Sequence, residues 1–361
     1  MRFKDSLEKM ILLAGRGIAA LVCAQRLAHQ GCSVTCYGFP RQEGPTVLLG
    51  HDTLALLRSL FPASDLTALG HPIQGRDVLW GDSPLTQLSA PACATPLSSL
   101  VNHLEPALLP SVTLSSDRPQ SSSVALWQVD VTGRHAHLAT QIAGATVNSF
   151  GQRCMVTIPV ELKSGKCDRV SMESIPSGWM FLCPTSPHAG VLQVMLPQAP
   201  PQPERAIQIA LSQSQLIAEQ LLSIDPGAWR ILPAAPQILT VLGSDRWLAV
   251  GAAACTFDPV CGDGIGQAIR SALLACAVLL SGSDQIPLTD ALRHYHLRHR
   301  HTFAWHLRHV YNFYKPLLTQ PTWFEELIKT HQFLSSYAAY NLLHQSQFAY
   351  QLKNLALEPN T

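Results

Sequence analysis

Residues 251–275 (GAAACTFDPVCGDGIGQAIRSALLA) constrain the fold more than any other part of the chain. The preceding apolar run, 247–250, has the composition of a buried strand. Pro259 fixes its own φ and disfavours helical backbone at Asp258, so a turn is expected there. A helix then starts near Ile265, and its free N–H groups can face an electron-rich group. Three glycines between turn and helix allow close backbone approach to a bulky partner: Gly262, Gly264 and Gly266. These features predict a cofactor-docking element.

The start of the chain holds a second element of this kind. An apolar strand is expected over residues 10–14, a helix follows, and a second strand is expected over 33–37. The intervening GRGIAA has the Gly-x-Gly-x-x-Ala pattern that opens a dinucleotide-binding βαβ unit. In that pattern Gly15 makes the turn, Gly17 admits a pyrophosphate and Ala20 allows close packing of helix and strand.

The end of the second strand departs from this pattern. An acidic residue usually stands there to bind the ribose hydroxyls, but the sequence reads YGFP over residues 37–40. Arg41 and Glu43 are the nearby polar substitutes, and Arg41 is counted among the predicted cofactor-binding residues.

Size and charge narrow the functional classes. The chain has 361 residues, enough for one large or two ordinary domains. It is 47% hydrophobic and 14% charged, which favours a large core. The net charge of +1 gives no electrostatic reason to expect nucleic acid as a partner. No apolar run reaches the roughly 18 residues of a membrane-spanning helix, so we expect neither nucleic acid nor membrane as a partner.

The ten cysteines form no Cys-x-x-Cys pair and lie in apolar contexts. Buried free thiols in a reducing cytoplasm are favoured over a disulfide framework. The N-terminus is a poor signal peptide, because an acidic residue precedes a short apolar run. We therefore expect a cytoplasmic protein.

The middle of the chain is rich in strands. Residues 154–162, 179–183 and 191–196 are strongly strand-like and predict an antiparallel sheet distinct from the first βαβ unit. The remaining expectations are helices over 51–60, 96–104, 204–224, 290–314, 323–329 and 333–355, strands over 124–131 and 135–142, and an exposed loop over 111–123.

The predicted fold is α/β, with a Rossmann-like nucleotide-binding domain, an inserted, mostly antiparallel β-sheet substrate domain and a helical C-terminal tail. The nucleotide-binding domain is discontinuous and is assigned to residues 1–75 and 235–285 with part of 95–150. The inserted domain is assigned to 76–94 and 151–234, and the C-terminal helical region to 286–361.

Several polar and aromatic residues are candidates for function. Asp258 is either a functional carboxylate beside the glycine loop or a turn-capping residue. Asp263 reads as a helix N-cap and Cys261 as a small apolar filler. Three tryptophans could form an aromatic wall or pack in the core: Trp80, Trp179 and Trp305.

Six histidines follow each other along one predicted helix: 294, 296, 299, 301, 306 and 309. Their spacing lacks the helical Glu-x-x-His pattern of a metal site. A solvated, partly basic face is therefore favoured over a metal site.

Three motifs, in this order, resemble those of the flavin-dependent monooxygenases and halogenases, which have the glutathione-reductase-type FAD fold. They are GRGIAA at 15–20, GWMFLCP at 178–184 and the glycine loop at 251–266. The tail is similar to the C-terminal helices of the halogenase-like branch at Tyr295, Arg298, Arg300, Tyr311, Tyr314, Trp323 and Phe324.

This resemblance implies an FAD-dependent oxidoreductase that activates O2 and oxygenates or halogenates an electron-rich aromatic. Asp258 and Trp179 are the implied catalytic residues, and no metal is expected. The implied FAD-binding residues are Gly15, Gly17, Ala20, Arg41, Gly251, Asp258, Pro259, Gly262, Gly264, Ile265 and Gly266.

The segment DPVCGDGIGQAIR, residues 258–270, most resembles the maturation flavoproteins of tryptophylquinone amino-acid oxidases such as glycine and lysine oxidases. The implied function is hydroxylation of a peptidyl tryptophan in an oxidase precursor, so the implied partners are this protein substrate and O2. Two alternatives stay open at this point. One is a small-molecule aromatic hydroxylase or halogenase, and the other is a non-catalytic binding partner with the same fold.

The sequence also departs from the family pattern. Ala252 stands where the family usually has Asp, and NSFG at 148–151 stands where an Asp-Gly pair is usual. The helix over 96–104 lacks the family's FAD-contacting Arg, and no halogenase lysine can be assigned. Each lost hydrogen bond removes about 1 kcal/mol of cofactor binding, which predicts weak FAD binding or its loss.

Overall fold

The structure is a computed structural model of the chain. It describes residues 10–39, 44–66, 69–119, 127–163, 165, 167–225, 227–281, 286–345 and 347–360. In these ranges the strands form a six-stranded sheet, a nine-stranded sheet, a three-stranded sheet and a two-stranded sheet.

The strands are β1 Met10–Ala14, β2 Ser33–Tyr37, β3 Thr46–Gly50, β4 His71–Leu79, β5 Thr86–Pro96, β6 Val112–Ser115, β7 Trp127–Asp130, β8 Val147–Ser149, β9 Cys154–Leu162, β10 Arg169–Ile175, β11 Gly178–Pro184, β12 Ala189–Leu196, β13 Leu221–Ile224, β14 Arg230–Pro233, β15 Gln237–Leu239, β16 Gly243–Ser244, β17 Trp247–Ala249, β18 Cys255–Thr256, β19 Tyr350–Lys353 and β20 Ala356–Pro359. The helices are α1 Ile18–His29, α2 His51–Leu60, α3 Leu97–Leu104, α4 His137–Ala143, α5 Pro203–Ser212, α6 Gly264–Leu280, α7 Leu288–Phe313, α8 Pro321–Leu334 and α9 Tyr337–Leu343.

The six-stranded sheet has the order β16-β17-β7-β1-β2-β6, and all its pairs except β16–β17 are parallel. Ile11, Leu12 and Leu13 in its centre are at most 2% exposed, as expected for a parallel strand covered on both faces. On one face α1 packs against α6, and the Cys23 thiol lies 3.8 Å from the Ala272 carbonyl oxygen. The predicted Rossmann-like βαβ unit is therefore confirmed.

The nine-stranded sheet has the order β13-β9-β12-β11-β10-β4-β5-β3, with β14 also pairing with β9. It is antiparallel except for the β10–β4 pair, which confirms a mostly antiparallel second sheet. The predicted domain boundary between residues 75 and 76 falls inside β4, and β3 belongs to this sheet as well. The division into domains stays a prediction.

Residues 135–142 were expected to be a strand, and this expectation is wrong because α4 forms there. The Asp130 carboxylate accepts a hydrogen bond from the Ala139 N–H at 2.8 Å, and the Thr132 hydroxyl accepts one from the His137 N–H at 2.9 Å. These bonds satisfy N–H groups of the first turn. Capping by side chains from the preceding strand and turn overrides the strand-like alternation.

The single helix expected over 204–224 is also wrong, since α5 ends at Ser212. The reason is the Glu173 carboxylate, which is 1% exposed. It accepts hydrogen bonds from the N–H groups of Leu216 and Ile217, each at 3.1 Å, and from the Ser214 hydroxyl at 2.6 Å. The backbone therefore turns around this buried carboxylate before it enters β13.

The C-terminal helical region is confirmed by α7, α8 and α9, but the helix expected over 333–355 is wrong in its second half. There β19 and β20 form a hairpin, and its turn residues Asn354 and Leu355 have φ of 49° and 61°. Positive φ at both positions matches the twist of a two-residue hairpin turn. The loop expected over 111–123 likewise contains β6, which pairs with β2.

No helix within the described ranges combines the length and apolar composition that crossing a membrane requires.

Two glycines of the first βα turn are expected to differ in their effect on stability. Gly15 has a φ of 130°, and a Cβ there would lie 2.4 Å from the Val131 carbonyl oxygen. Gly17 has a φ of −90°, and no atom lies within 4 Å of its ideal Cβ. We expect Gly15→Ala to lower the free energy of unfolding by about 2 kcal/mol. Gly17→Ala should change it by less than about 0.5 kcal/mol.

Urea denaturation of the two variants and the wild-type protein measures this difference. Equal losses in the two variants would contradict the close backbone approach described at Gly15.

Candidate functional site

The turn between β1 and α1 is open to a ligand. Gly17 is the N-cap of α1, no side chain caps this helix, and its first turn holds no acidic residue. The first N–H groups of α1 are therefore available to an anion. Gly38, which follows β2, lies beside this turn, since its ideal Cβ would be 3.7 Å from the Gly15 Cα. The expected acid is thus replaced by bare backbone.

The structure brings the two docking elements together at Gly251. Its φ is 63°, and a Cβ there would lie 2.9 Å from the Ala19 Cβ of α1 and 3.8 Å from the Ala268 Cβ of α6. The Gly251 N–H donates to the Ser271 hydroxyl at 2.8 Å. The start of the glycine loop therefore touches both helices, and Ala20 is fully buried nearby in α1.

Asp258 caps the turn that follows β18. Its carboxylate accepts a hydrogen bond from the Val260 N–H at 2.9 Å, which is the turn-capping alternative raised by the sequence. The same carboxylate is 2% exposed and also accepts from the Arg153 Nε at 2.6 Å. Pro259 opens a short 3-10 turn, and Gly262 closes it with a φ of 62°. Asp258 thus joins the loop to a buried cation.

Arg153, which precedes β9, is the centre of this buried group and is 1% exposed. Besides Asp258 it donates to the Glu326 carboxylate of α8 at 2.6 Å and to the Phe150 carbonyl oxygen at 3.1 Å. Its Nη2 has no hydrogen-bond partner within the described ranges. Burial alone lowers the pKa of Arg153, but the charges of Asp258, Tyr314 and Glu326 raise it above its usual value.

Trp179 is connected to the glycine loop through the hydroxyl of Tyr314. It is 2% exposed, and its Nε1–H donates to the Tyr314 hydroxyl at 2.7 Å. The Tyr314 hydroxyl in turn donates to the Asp258 carboxylate at 3.1 Å. Trp179 therefore lies in the interior, and its predicted catalytic role stays a prediction. Trp80 lies beside it, with ring centroids 6.4 Å apart.

Three of the six histidines of α7 contradict the solvated face expected from the sequence, since His294, His299 and His306 are at most 8% exposed. The His306 Nε2 accepts from the Asp258 N–H at 2.7 Å, so the proton of the neutral ring lies on Nδ1. That Nδ1 is 3.4 Å from the Cys261 sulfur. Burial lowers the pKa of His306 to about 4, with Asp258 opposing and Arg153 adding to the shift.

The N-terminus of α6 also lacks a capping hydrogen bond, but a carboxylate lies beside its first turn. Asp263 occupies the N-cap position but makes no capping hydrogen bond. Its carboxylate instead pairs with Arg270 and accepts from the Thr53 hydroxyl at 3.2 Å. A Cβ at Gly266 would lie 2.1 Å from that carboxylate. The helix starts at Gly264, one residue before the predicted Ile265, with its first N–H groups uncapped.

The contacts of Gly251 with α1 and α6 therefore link the predicted cofactor-binding residues of the β1–α1 turn to those at the start of α6. Arg41 lies outside the described residues. Sequence reasoning missed Arg153, Glu326 and His306. Glu326 could have been found, because it falls on the same helical stripe as the buried Trp323 and Thr330.

The chain matches many solved structures over most of its length. CmlS, a flavin-dependent halogenase, is 16% identical with a TM-score of 0.77, and the match covers 92% of this chain and 71% of CmlS. The chain has the fold of the flavin-dependent halogenases and monooxygenases.

Two further matches have this halogenase–monooxygenase fold. QhpG, a peptidyl tryptophan dihydroxylase essential for tryptophylquinone cofactor biogenesis, is 17% identical with a TM-score of 0.69, and the match covers 98% of this chain and 86% of QhpG. PqsL, a probable FAD-dependent monooxygenase from Pseudomonas aeruginosa, is 16% identical with a TM-score of 0.66, over 89% of this chain and 99% of PqsL. No protein-family model and no curated protein sequence matches the chain significantly.

The buried ion group predicts a large effect on stability. Arg153→Met leaves the Asp258 and Glu326 carboxylates buried without the cation that they share. We expect a loss of about 3 kcal/mol or more in the free energy of unfolding. The double variant Arg153→Met/Glu326→Gln should lose less, because it removes one of the two unpaired charges.

Chemical denaturation of both variants tests this expectation, with Arg246→Met as the control because Arg246 is exposed. A loss below about 1 kcal/mol for Arg153→Met would show that the ion group does not stabilise the fold.

Proposed function

We propose that the chain binds FAD along the line from the β1–α1 turn to the start of α6. The two uncapped helix N-termini support this, since each offers free N–H groups to an electron-rich group. The open space around Gly17 supports it as well, because a ligand can approach the backbone there. These residues fit a dinucleotide. Gly15 and Gly17 would hold the pyrophosphate, and residues 258–266 would hold the flavin.

At two positions of the proposed FAD site, the chain lacks an acidic side chain that the halogenase–monooxygenase pattern has. No ribose-binding acid stands at the end of β2, where residues 37–40 read YGFP, and Ala252 stands where an Asp is usual. Each missing hydrogen bond removes about 1 kcal/mol of binding. The proposed FAD site therefore relies on backbone N–H groups, and we expect FAD to bind more weakly than a site with both acids would hold it.

We further propose that the chain is an FAD-dependent monooxygenase. FAD supplies, when bound, the redox chemistry that activates O2. The chain's own residues fix the loop that would face the substrate, because Asp258 is held by Arg153 and Tyr314. His306 is neutral and binds the Asp258 N–H, so it fixes the backbone of the turn without adding a charge.

The substrate that we propose is a tryptophan side chain within an oxidase precursor, hydroxylated during tryptophylquinone biogenesis. The observation that carries this proposal is the match to QhpG over 98% of the chain. The likeness of residues 258–270 to the maturation flavoproteins supports it independently of the fold. We place the reaction in a reducing compartment such as the cytoplasm, because all ten cysteines are free thiols.

Incubation with an unmodified oxidase precursor tests the proposed substrate. With FAD, O2 and NADH plus a flavin reductase, we expect tandem mass spectrometry to locate a gain of one or two oxygen atoms on a tryptophan. A precursor with this tryptophan replaced by phenylalanine is the control and should gain none.

Two results would contradict the proposed substrate. One is an unchanged precursor in the presence of protein that has demonstrably bound FAD. The other is a gain of a halogen that depends on added chloride or bromide, which would favour the halogenase alternative.

A further inference from the structure

A cavity of about 660 Å³ lies between α6, α7, the loop 251–257 and the segment 348–352. Its α6 residues include Gln267 and Ser271, whereas α1 contacts α6 at Ala272 and Cys276. Because successive residues are about 100° apart around a helix, these two pairs occupy opposite faces of α6. The volume falls within the roughly 300–1,000 Å³ of small-molecule sites.

The cavity borders the proposed FAD line and shares only part of it. Its lining contains neither glycine of the β1–α1 turn, nor Asp258, nor Gly262. It does include Gly251, Ala252 and Gly264, so a molecule bound there would contact the glycine loop from its other side.

The charged side chains that line the cavity are cationic. Arg270 and Arg298 line it, and its lining contains no Asp or Glu. Arg270 is neutralised by Asp263. Arg298 has no hydrogen-bond or ion-pair partner in the part of the chain that the structure describes, and its guanidinium stacks on the Phe348 ring at 4.4 Å. Arg298 is exposed, and a guanidinium that stacks on an aromatic ring without an ion-pair partner can pair with an anion that carries a flat ring.

A buried imidazole adds a second reason to expect a ligand. His294 lines the cavity and is 5% exposed, yet it has no hydrogen-bond partner among the described residues. Burial, together with Arg298, lowers its pKa to about 4, so the ring is neutral and can both donate and accept. Its edge packs against Phe348 and Tyr350, with ring centroids 6.1 and 5.8 Å apart. Because its ring nitrogens are not fully enclosed, they reach open space, where a ligand could hydrogen-bond them.

We propose that this cavity binds a small aromatic carboxylate. The carboxylate would pair with Arg298, the ring would lie against Phe348 and Tyr350, and His294 would hydrogen-bond a polar atom of the ligand. This site does not depend on FAD or on the proposed reaction.

Isothermal titration calorimetry of the full-length protein, without added FAD, tests the proposal with benzoate, 1-naphthoate and indole-3-acetate. We expect at least one carboxylate to bind, and its neutral amide to bind at least about tenfold more weakly because the charge-assisted hydrogen bonds are lost. Arg298→Gln should abolish this preference. Arg293→Gln is the control, because Arg293 is exposed on the same helix and does not line the cavity.

A second variant locates the binding. Thr302→Phe places a ring into the cavity from α7 and should abolish carboxylate binding. The proposal is overturned if none of the three carboxylates binds the wild-type protein. It is also overturned if carboxylate binding survives both Arg298→Gln and Thr302→Phe.

Discussion

The buried contact of Arg153 with Asp258 and Glu326 joins three parts of the chain that are distant in sequence. Arg153 immediately precedes β9 of the nine-stranded sheet, Asp258 lies in the turn before α6, and Glu326 lies on α8. Charges buried this deeply are tolerated only when they are paired and hydrogen-bonded. The position of the glycine loop therefore depends on both the second sheet and the C-terminal helices. Tyr314 and Trp179 extend the same group into the interior.

Local patterns in the sequence predicted the elements that depend on local chemistry. The Gly-x-Gly-x-x-Ala turn lies between β1 and α1, and α6 starts within one residue of the predicted position. Two of the failures lie where side chains from other elements decide the backbone. Asp130 caps α4 across a turn, and Glu173 binds the backbone that follows the end of α5. Neither contact leaves a periodic pattern in the sequence.

The candidate site shows the same division. Its glycines and Asp258 were predicted because turns and close approaches have a local signature. Arg153 was not, since a single charged residue before an apolar strand does not reveal its partners. The histidines of α7 were misjudged for a related reason: their charge suggested solvent, whereas burial keeps His299 neutral by lowering its pKa to about 3. Tertiary contacts, rather than spacing, decide the role of these residues.

The central claim is that the two uncapped helix N-termini and the glycines between them hold FAD. The visible absorbance spectrum of the protein, recorded after incubation with FAD and removal of free cofactor by gel filtration, tests it most directly. The account predicts flavin absorbance bands that co-elute with the protein at up to one FAD per chain, and a clear reduction of this FAD content in Gly17→Ala. Protein that elutes without flavin absorbance, and that gives no change in FAD fluorescence on titration, would contradict it.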